Sequence, residues 1–317
     1  MQTNRQLRDL TPGDRADGFY ILKSALVKTT AAGKPFLSAV LADKSGELEA
    51  KAWDYAGPLG PGDEGRIVRV QGTVSEYRGA PQVVIDRGGI RLRTEHDPVK
   101  PEDLVPTAPM DLDAAYREVE GLVSSMKDAD YAAVCRRMLQ RRGEEFRRIP
   151  AAKSVHHSFL GGLLMHTLQM LRLADFLAGQ YGDLIDRDLL LAGTLLHDFA
   201  KAREFRFSEL GLATGYSTSG QLLGHLVMGA QEVAETAAEL GTPEEKSVLL
   251  QHLLLSHHGE PEFGAAVRPM CAESELLSLI DMVDSRMEIY REVLAEVPEG
   301  EFSGRVFALD KRIYHHR

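Results

Sequence analysis

The sequence predicts a multidomain α+β chain, an N-terminal five-stranded β-barrel followed by an all-α helical bundle. Three observations predict it. Up to Ile85, short runs rich in Val, Ile, Leu and aromatic residues are divided by Gly- and Pro-containing turns. From His157 onward, apolar residues recur at three- and four-residue intervals over long segments. Between the two, residues 95–113 hold Pro98, Pro101, Pro106 and Pro109 and little apolar patterning. A chain of 317 residues is long enough for about two domains at roughly 100–200 residues each. The expected divisions are a barrel over 1–97, a proline-containing linker over 98–115 and a helical domain over 116–317.

Strands are expected over 19–28, 36–43, 47–53, 66–74 and 82–85, with turns at 32–35, 44–46, 57–63 and 78–81. Five short strands in a segment of this size suggest an OB-fold, a Greek-key barrel that often binds oligonucleotides. Strand alternation puts Leu48, Ala50 and Ala52 on one face and Glu49, Lys51 and Trp53 on the other. The single Trp of the chain thus stands beside Lys51 on an outer, polar face. It can stack a nucleobase there; it can equally pack on a loop or another domain. Tyr77 and Arg78, at an expected hairpin tip, form a second pair of the same kind, and Lys34 and Arg69 are weaker candidates.

Apolar periodicity then covers 112–148, with Tyr116, Val119, Leu122, Val123 and Met126 on one face. Further helices are expected over 160–178, 187–201, 220–240, 243–256 and 273–297. Hydrophobic residues are 44% and charged residues 26% of the chain, which excludes a disordered or fibrous protein. No run reaches the ~18 apolar residues of a membrane span, so no membrane partner is expected. The first twenty residues lack the apolar core of a signal peptide. Two cysteines cannot make a disulfide framework, and a cytoplasmic location is expected.

The net charge of −10 is unevenly spread, at +1 over 1–97, 0 over 98–153 and −11 over 154–317. An acidic chain is not a general polyanion binder. Arg136, Arg137, Arg141, Arg142, Arg147, Arg148 and Lys153 nevertheless bunch against only Glu144 and Glu145. That strip is either a solvated helix face or part of a nucleic-acid path.

The histidines carry the chemistry. His166 lies on one expected helix, His197-Asp198 near the end of another, His225 after Gly224, His257-His258 at the close of a fourth, and Asp281 in a fifth. Intervals of 31, 27, 32 and 23 residues separate these groups. Zinc fingers cluster their ligands more tightly. The spacing suits a site inside a helical bundle, where ligands project inward from facing helices. Imidazole and carboxylate together suit Mn, Fe, Ni or Zn better than Mg. A carboxylate next to a histidine can bridge two ions, and two ions can activate a water and clamp a phosphate. One histidine on an apolar helix is ordinarily a satisfied core residue. Asp198 and Asp281, however, each interrupt a strongly apolar run, and a buried unpaired carboxylate is costly.

The order His…His-Asp…His…His…Asp on an all-helical domain resembles the HD phosphohydrolases, including their His-Asp-x-x-Lys form in 197–201. The strings at 150–167, 256–264 and 281–287, together with the barrel, resemble the bacterial YhaM-type 3′-to-5′ exoribonucleases from about Gly18 to Met287. The resemblance implies a metal-dependent exonuclease acting on single-stranded RNA, with single-stranded DNA as a second substrate. It implies His166, His197, Asp198 and Asp281 around one ion, and Asp198, His225 and one or both of His257 and His258 around the other. Mn is the expected metal, with Fe, Ni, Co and Zn as alternatives. Asp198 is the implied catalytic centre. Lys201 and Arg286 are phosphate partners, with Arg268 behind them, although Lys201 also reads as a surface lysine at a helix end. A homo-oligomer enclosing the strand fits the same picture. Two other classes stay open, an HD nucleotide or cyclic-dinucleotide phosphohydrolase and a non-catalytic single-strand-binding factor. The tail beyond Val297 matches no motif, and His315-His316 reads as a solvated end.

Overall fold

In the computed structural model, residues 5–100, 103–151, 159–208, 210–211 and 213–316 are described. The chain divides into two units, Met1–Pro106 with Ser208–Gly211, and Thr107–Phe207 with Leu212–Arg317. In the first unit, β1 (Arg15–Thr29), β2 (Pro35–Asp43), β3 (Gly46–Trp53), β4 (Ile67–Tyr77) and β5 (Ala80–Leu92) close into a barrel in the order β1-β2-β3-β5-β4. The β3–β5 pairing is parallel and the other four are antiparallel. This five-stranded Greek-key closure is the OB-fold. The strands outrun their expected ends because β1 serves two neighbours. Its first half pairs β4, from Arg15 opposite Thr73, and its second half pairs β2, out to Thr29 opposite Pro35. Alternate residues fill the interior, among them Tyr20, Leu22, Leu37, Leu41, Val68 and Val70. Full burial of each such aliphatic side chain contributes about 1.5–3 kcal/mol.

The second unit holds α1 (Leu112–Ser124), α2 (Ala129–Arg148), α3 (Gly162–Gln180), α4 (Arg187–Leu196), α5 (Lys201–Glu204), α6 (Thr218–Leu240), α7 (Glu244–Ser256) and α8 (Ala272–Leu294). Asp111, Asp128, Asp186 and Ser217 cap α1, α2, α4 and α6 by accepting from backbone N–H groups of the first turn. α4 is apolar almost all round, and every residue from Asp188 to Leu196 is buried. A helix of that kind belongs in the middle of a bundle, so the two residues that follow it, His197 and Asp198, enter the core. No helix among the described residues is long and apolar enough to cross a membrane.

The structure corrects several expectations. The last residues of the stretch expected as linker are helical, because Asp111 caps α1 from Leu112. The region after α5 is not helical throughout. Phe205–Phe207 and Ala213–Tyr216 pair as a two-stranded hairpin, β6–β7. The tail beyond Val297 folds back on itself through bridges Phe302↔Tyr314 and Val306↔Lys311. His315 is half-buried there, its Nδ1 2.6 Å from the Val297 carbonyl, so it is not a solvated end. The basic strip on α2 is largely neutralised. Arg137 and Arg141 meet Glu239, Arg142 meets Glu232 at 2.9 Å, Arg147 meets Asp113 and Glu144, and Arg148 meets Glu144 at 3.8 Å. Lys153, and His156-His157 of the string at 150–167, lie outside the described residues.

Candidate metal centre and nucleic-acid face

Four helical segments deliver the histidines to one place. His166 is in the second turn of α3, His197 closes α4, His225 follows a break in α6, and His257-His258 follow α7. The break is at Gly224, whose φ of 72° and ψ of 164° lie in a region that suits glycine. The structure brings His166, His197 and Asp198 together as one set of ligand atoms within 4.8 Å of one another, and His225, His257 and His258 as another. Asp198 lies between the sets. Its Oδ2 is 3.3 Å from His197 Nε2 and 3.8 Å from His166 Nε2, while its Oδ1 is 3.2 Å from His225 Nε2 and 3.8 Å from His257 Nε2. Asp281 Oδ1 comes within 3.4 Å of His166 Nε2.

The rings are oriented from behind. His197 Nδ1 is 2.7 Å from the Thr194 carbonyl and His257 Nδ1 is 2.8 Å from the Leu254 carbonyl. A carbonyl only accepts, so both rings carry the proton on Nδ1 and a lone pair on Nε2. His166 Nδ1 meets Asp284 Oδ2 at 2.7 Å, and His225 Nδ1 meets Glu204 Oε1 at 3.1 Å. All four therefore present Nε2 to the cluster. Asp198 Oδ1, His225 Nε2, His257 Nε2 and His258 Nδ1 are buried without a hydrogen-bond partner. His225 Nε2 and Asp198 Oδ1 are near each other but not aligned to bond. An orphaned buried polar atom costs about 1–3 kcal/mol. Four together, three of them imidazole nitrogens, fit a divalent transition-metal ion that accepts lone pairs.

The electrostatics agree. Burial opposes charge on Asp198, but Lys201 and His197 outweigh it and hold the carboxyl well below the usual range. Burial, with His197 and His258, pushes His257 far down, and burial with His225 lowers His258, so both are neutral imidazoles near pH 7. Burial also opposes charge on His166, but Asp281 and Asp284 prevail and raise it to about 10. A metal entering there displaces a proton.

Lys201 Nζ lies 2.6 Å from Asp198 Oδ2, so it belongs to the cluster rather than to the surface. Arg286 does not join it. At roughly 100° per residue it lies about 140° from Asp281 and about 160° from Asp284 around α8, and it is exposed. Nearness in sequence to Asp281 is misleading on a helix. Arg268 is exposed and pairs with Glu260 at 2.8 Å. Sequence reasoning missed Glu204 and Asp284, the carboxylates behind His225 and His166. Asp284 carried a signal, since it stands three residues after Asp281 on the same helical face.

On the barrel, Trp53 is 50% exposed and its ring is 5.1 Å from that of Phe36 on β2. Lys51 Nζ is 2.6 Å from Ser38 Oγ and 5.8 Å from the centre of the Phe36 ring. Trp53, Phe36 and Lys51 thus share the outer face of β2 and β3. Tyr77 is also exposed, with the Arg78 guanidinium 5.3 Å from its ring at the tip of the β4–β5 hairpin.

The HD domain family model matches residues 163–286, the span from α3 to α8. A 3′-5′ exoribonuclease YhaM of Listeria monocytogenes serotype 4b (strain CLIP80459) is 38% identical over 316 residues, 98% of each chain. One from Halalkalibacterium halodurans is 38% identical over 308 residues, 96% of this chain and 93% of that one. Among solved structures, the second OB-fold domain of replication protein A from Methanococcus maripaludis is 17% identical, covering 31% of this chain and 99% of that one with a TM-score of 0.22. With 38% identity extending over nearly the whole of both chains, this protein belongs to the 3′-5′ exoribonuclease YhaM family.

Proposed function

We propose that the chain is a metal-dependent 3′-5′ exoribonuclease that shortens single-stranded RNA. The observation that carries the reading is the pair of ligand sets on either side of Asp198, with four buried lone-pair atoms that lack a hydrogen-bond partner. His166, His197, Asp198 and Asp281 would hold one ion, and Asp198, His225, His257 and His258 the other. Mn is the metal we assign, since mixed imidazole and carboxylate donors suit it, with Fe, Ni, Co and Zn as competitors. Divalent ions held there supply an activated water and offset the charge that builds on the phosphate.

The chain's own groups do the rest. Asp198, kept ionised, links the two ligand sets. Lys201 gives one N–H to Asp198 and has two others for a phosphate oxygen. The β2–β3 face and the β4–β5 tip are the surfaces on which OB-folds take up strands, so Trp53, Lys51, Tyr77 and Arg78 are assigned to the upstream nucleotides. Every base has a face to stack, and single-stranded DNA offers the same contacts. Free thiols at Cys135 and Cys271 support a reducing cytoplasm.

A panel of labelled RNA, single-stranded DNA and cyclic dinucleotide with Mn tests the proposal. Hydrolysis of the RNA, slowed by a 3′-terminal phosphate, is the expected result. Turnover of the cyclic dinucleotide alone would assign the chain to small-molecule chemistry instead.

A further inference from the structure

Glu204 is a buried carboxylate that bonds His225 alone among the clustered acid and imidazole groups of the described residues. It sits at the end of α5, ahead of the β6–β7 hairpin, and is 6% exposed. A carboxylate buried to this degree needs donors. Its Oε1 receives two from one residue, the backbone N–H of His225 at 3.1 Å and the ring Nδ1–H of His225 at 3.1 Å. Both contacts depend on the break at Gly224, which takes the His225 N–H out of the helical hydrogen-bond ladder. The far end of Glu204 is fixed as well, because its carbonyl accepts from Ser217 N at 2.8 Å, just before α6 begins. The same ring then has its other nitrogen, Nε2, buried and unpartnered, 3.2 Å from Asp198 Oδ1.

The two ligand sets differ in a way that gives Glu204 a specific task. The set containing His166 has Asp198 within it, Asp281 beside it and Asp284 behind it. The set of His225, His257 and His258 consists of three imidazoles. His257 is backed by a neutral carbonyl. Glu204 is therefore the carboxylate that stands behind the tri-imidazole set, as Asp284 stands behind the other. We propose that Glu204 is a positioning residue for the tri-imidazole subsite, fixing the ring and the tautomer of His225 so that Nε2 is the lone-pair donor. A carboxylate on the remote nitrogen of a ligating histidine also raises the basicity of the near one.

The inference rests on the two-ion reading above, and the test separates the two. Mn binding to the full-length protein after chelation is measured by calorimetry and by elemental analysis, for wild type, Glu204→Ala, Glu204→Gln and Asp284→Ala. Gln keeps an oxygen that accepts from both His225 donors, whereas Ala keeps neither. Wild type is expected to bind two ions per chain. Glu204→Ala should weaken one of the two by about 10- to 100-fold and leave the other unchanged. Glu204→Gln should recover most of the loss. Asp284→Ala should weaken the opposite site instead. The ¹⁵N signature of the His225 ring should show a single tautomer in wild type and a mixture in Glu204→Ala. Two unchanged affinities in Glu204→Ala, equal loss at both sites, or no recovery by Gln would each overturn the proposal. Fewer than two ions on wild type would overturn the two-ion reading itself.

Discussion

Replacing Gly224 by Ala tests whether the break in α6 exists for the sake of His225. At φ 72° and ψ 164° an L-residue is strained, at a cost of about 1–3 kcal/mol. Space is not the obstacle, since an added Cβ would meet only Glu204 Oε1, at 3.9 Å. The strain has two outlets. The backbone can hold its shape and the fold absorbs the cost, or α6 can straighten and carry the His225 N–H away from Glu204. For a unit of about 200 residues, 1 kcal/mol moves Tm by roughly 2–4 °C, so the loss should be about 2–12 °C. Straightening also degrades the tri-imidazole subsite, so the rise in Tm that Mn produces should shrink. Gly241→Ala is the control. That residue ends α6 at φ 69° and ψ 26°, and Ala there costs about 1–2 kcal/mol at the far end of the same helix. Differential scanning calorimetry with and without Mn should show a lowered Tm in both variants and a reduced Mn response in Gly224→Ala alone. An unchanged Tm with a full Mn response in Gly224→Ala would show that the break in α6 does not serve His225.

Trp53→Ala removes one stacking platform, which is about 1–3 kcal/mol or about 5- to 150-fold in affinity. KM for long RNA should rise while kcat for a short model phosphodiester stays level, and an equal fall in both turnovers would make Trp53 a structural residue. Asp198→Ala should lose both ions, because both ligand sets border its carboxylate. Elemental analysis showing wild-type metal content in that variant would contradict the arrangement. Burial pushes the Cys135 thiol from near 9 up to about 12, so at pH 8 the native protein should titrate with a thiol reagent at Cys271 and not at Cys135. The unfolded thiol ionises first as pH rises, so this group should subtract stability progressively between about pH 9 and 12. Two fast native equivalents would show that Cys135 is accessible.

Much of this was legible in the sequence because burial writes a period. Alternation along 48–53 gave both the inward Ala50 and Ala52 and the outward Lys51 and Trp53. The strongly apolar run 189–196 announced a helix, which made the His197-Asp198 pair at its end conspicuous. Other features had no period to show. β6 has three residues and β7 four, too short to establish alternation. The role of Glu204 depends on a kink twenty residues later in the chain. Adjacency in sequence is not adjacency around a helix, so Arg286 stands away from the Asp281 and Asp284 face of α8. The tail hairpin is held by two bridges and by backbone hydrogen bonds from Ser303 N to the Ile313 carbonyl and from His315 N to the Glu301 carbonyl, which side-chain patterning does not record.

On the proposed function, the cluster around Asp198 removes nucleotides from a free 3′ end. The most direct measurement is a time course on single-stranded RNA labelled at its 5′ end, with Mn, comparing wild type and Asp198→Ala. Wild type should give a descending ladder of labelled fragments and the variant should leave the RNA intact. Internal cutting of a circular RNA at a comparable rate, or a ladder of equal strength from Asp198→Ala, would contradict it.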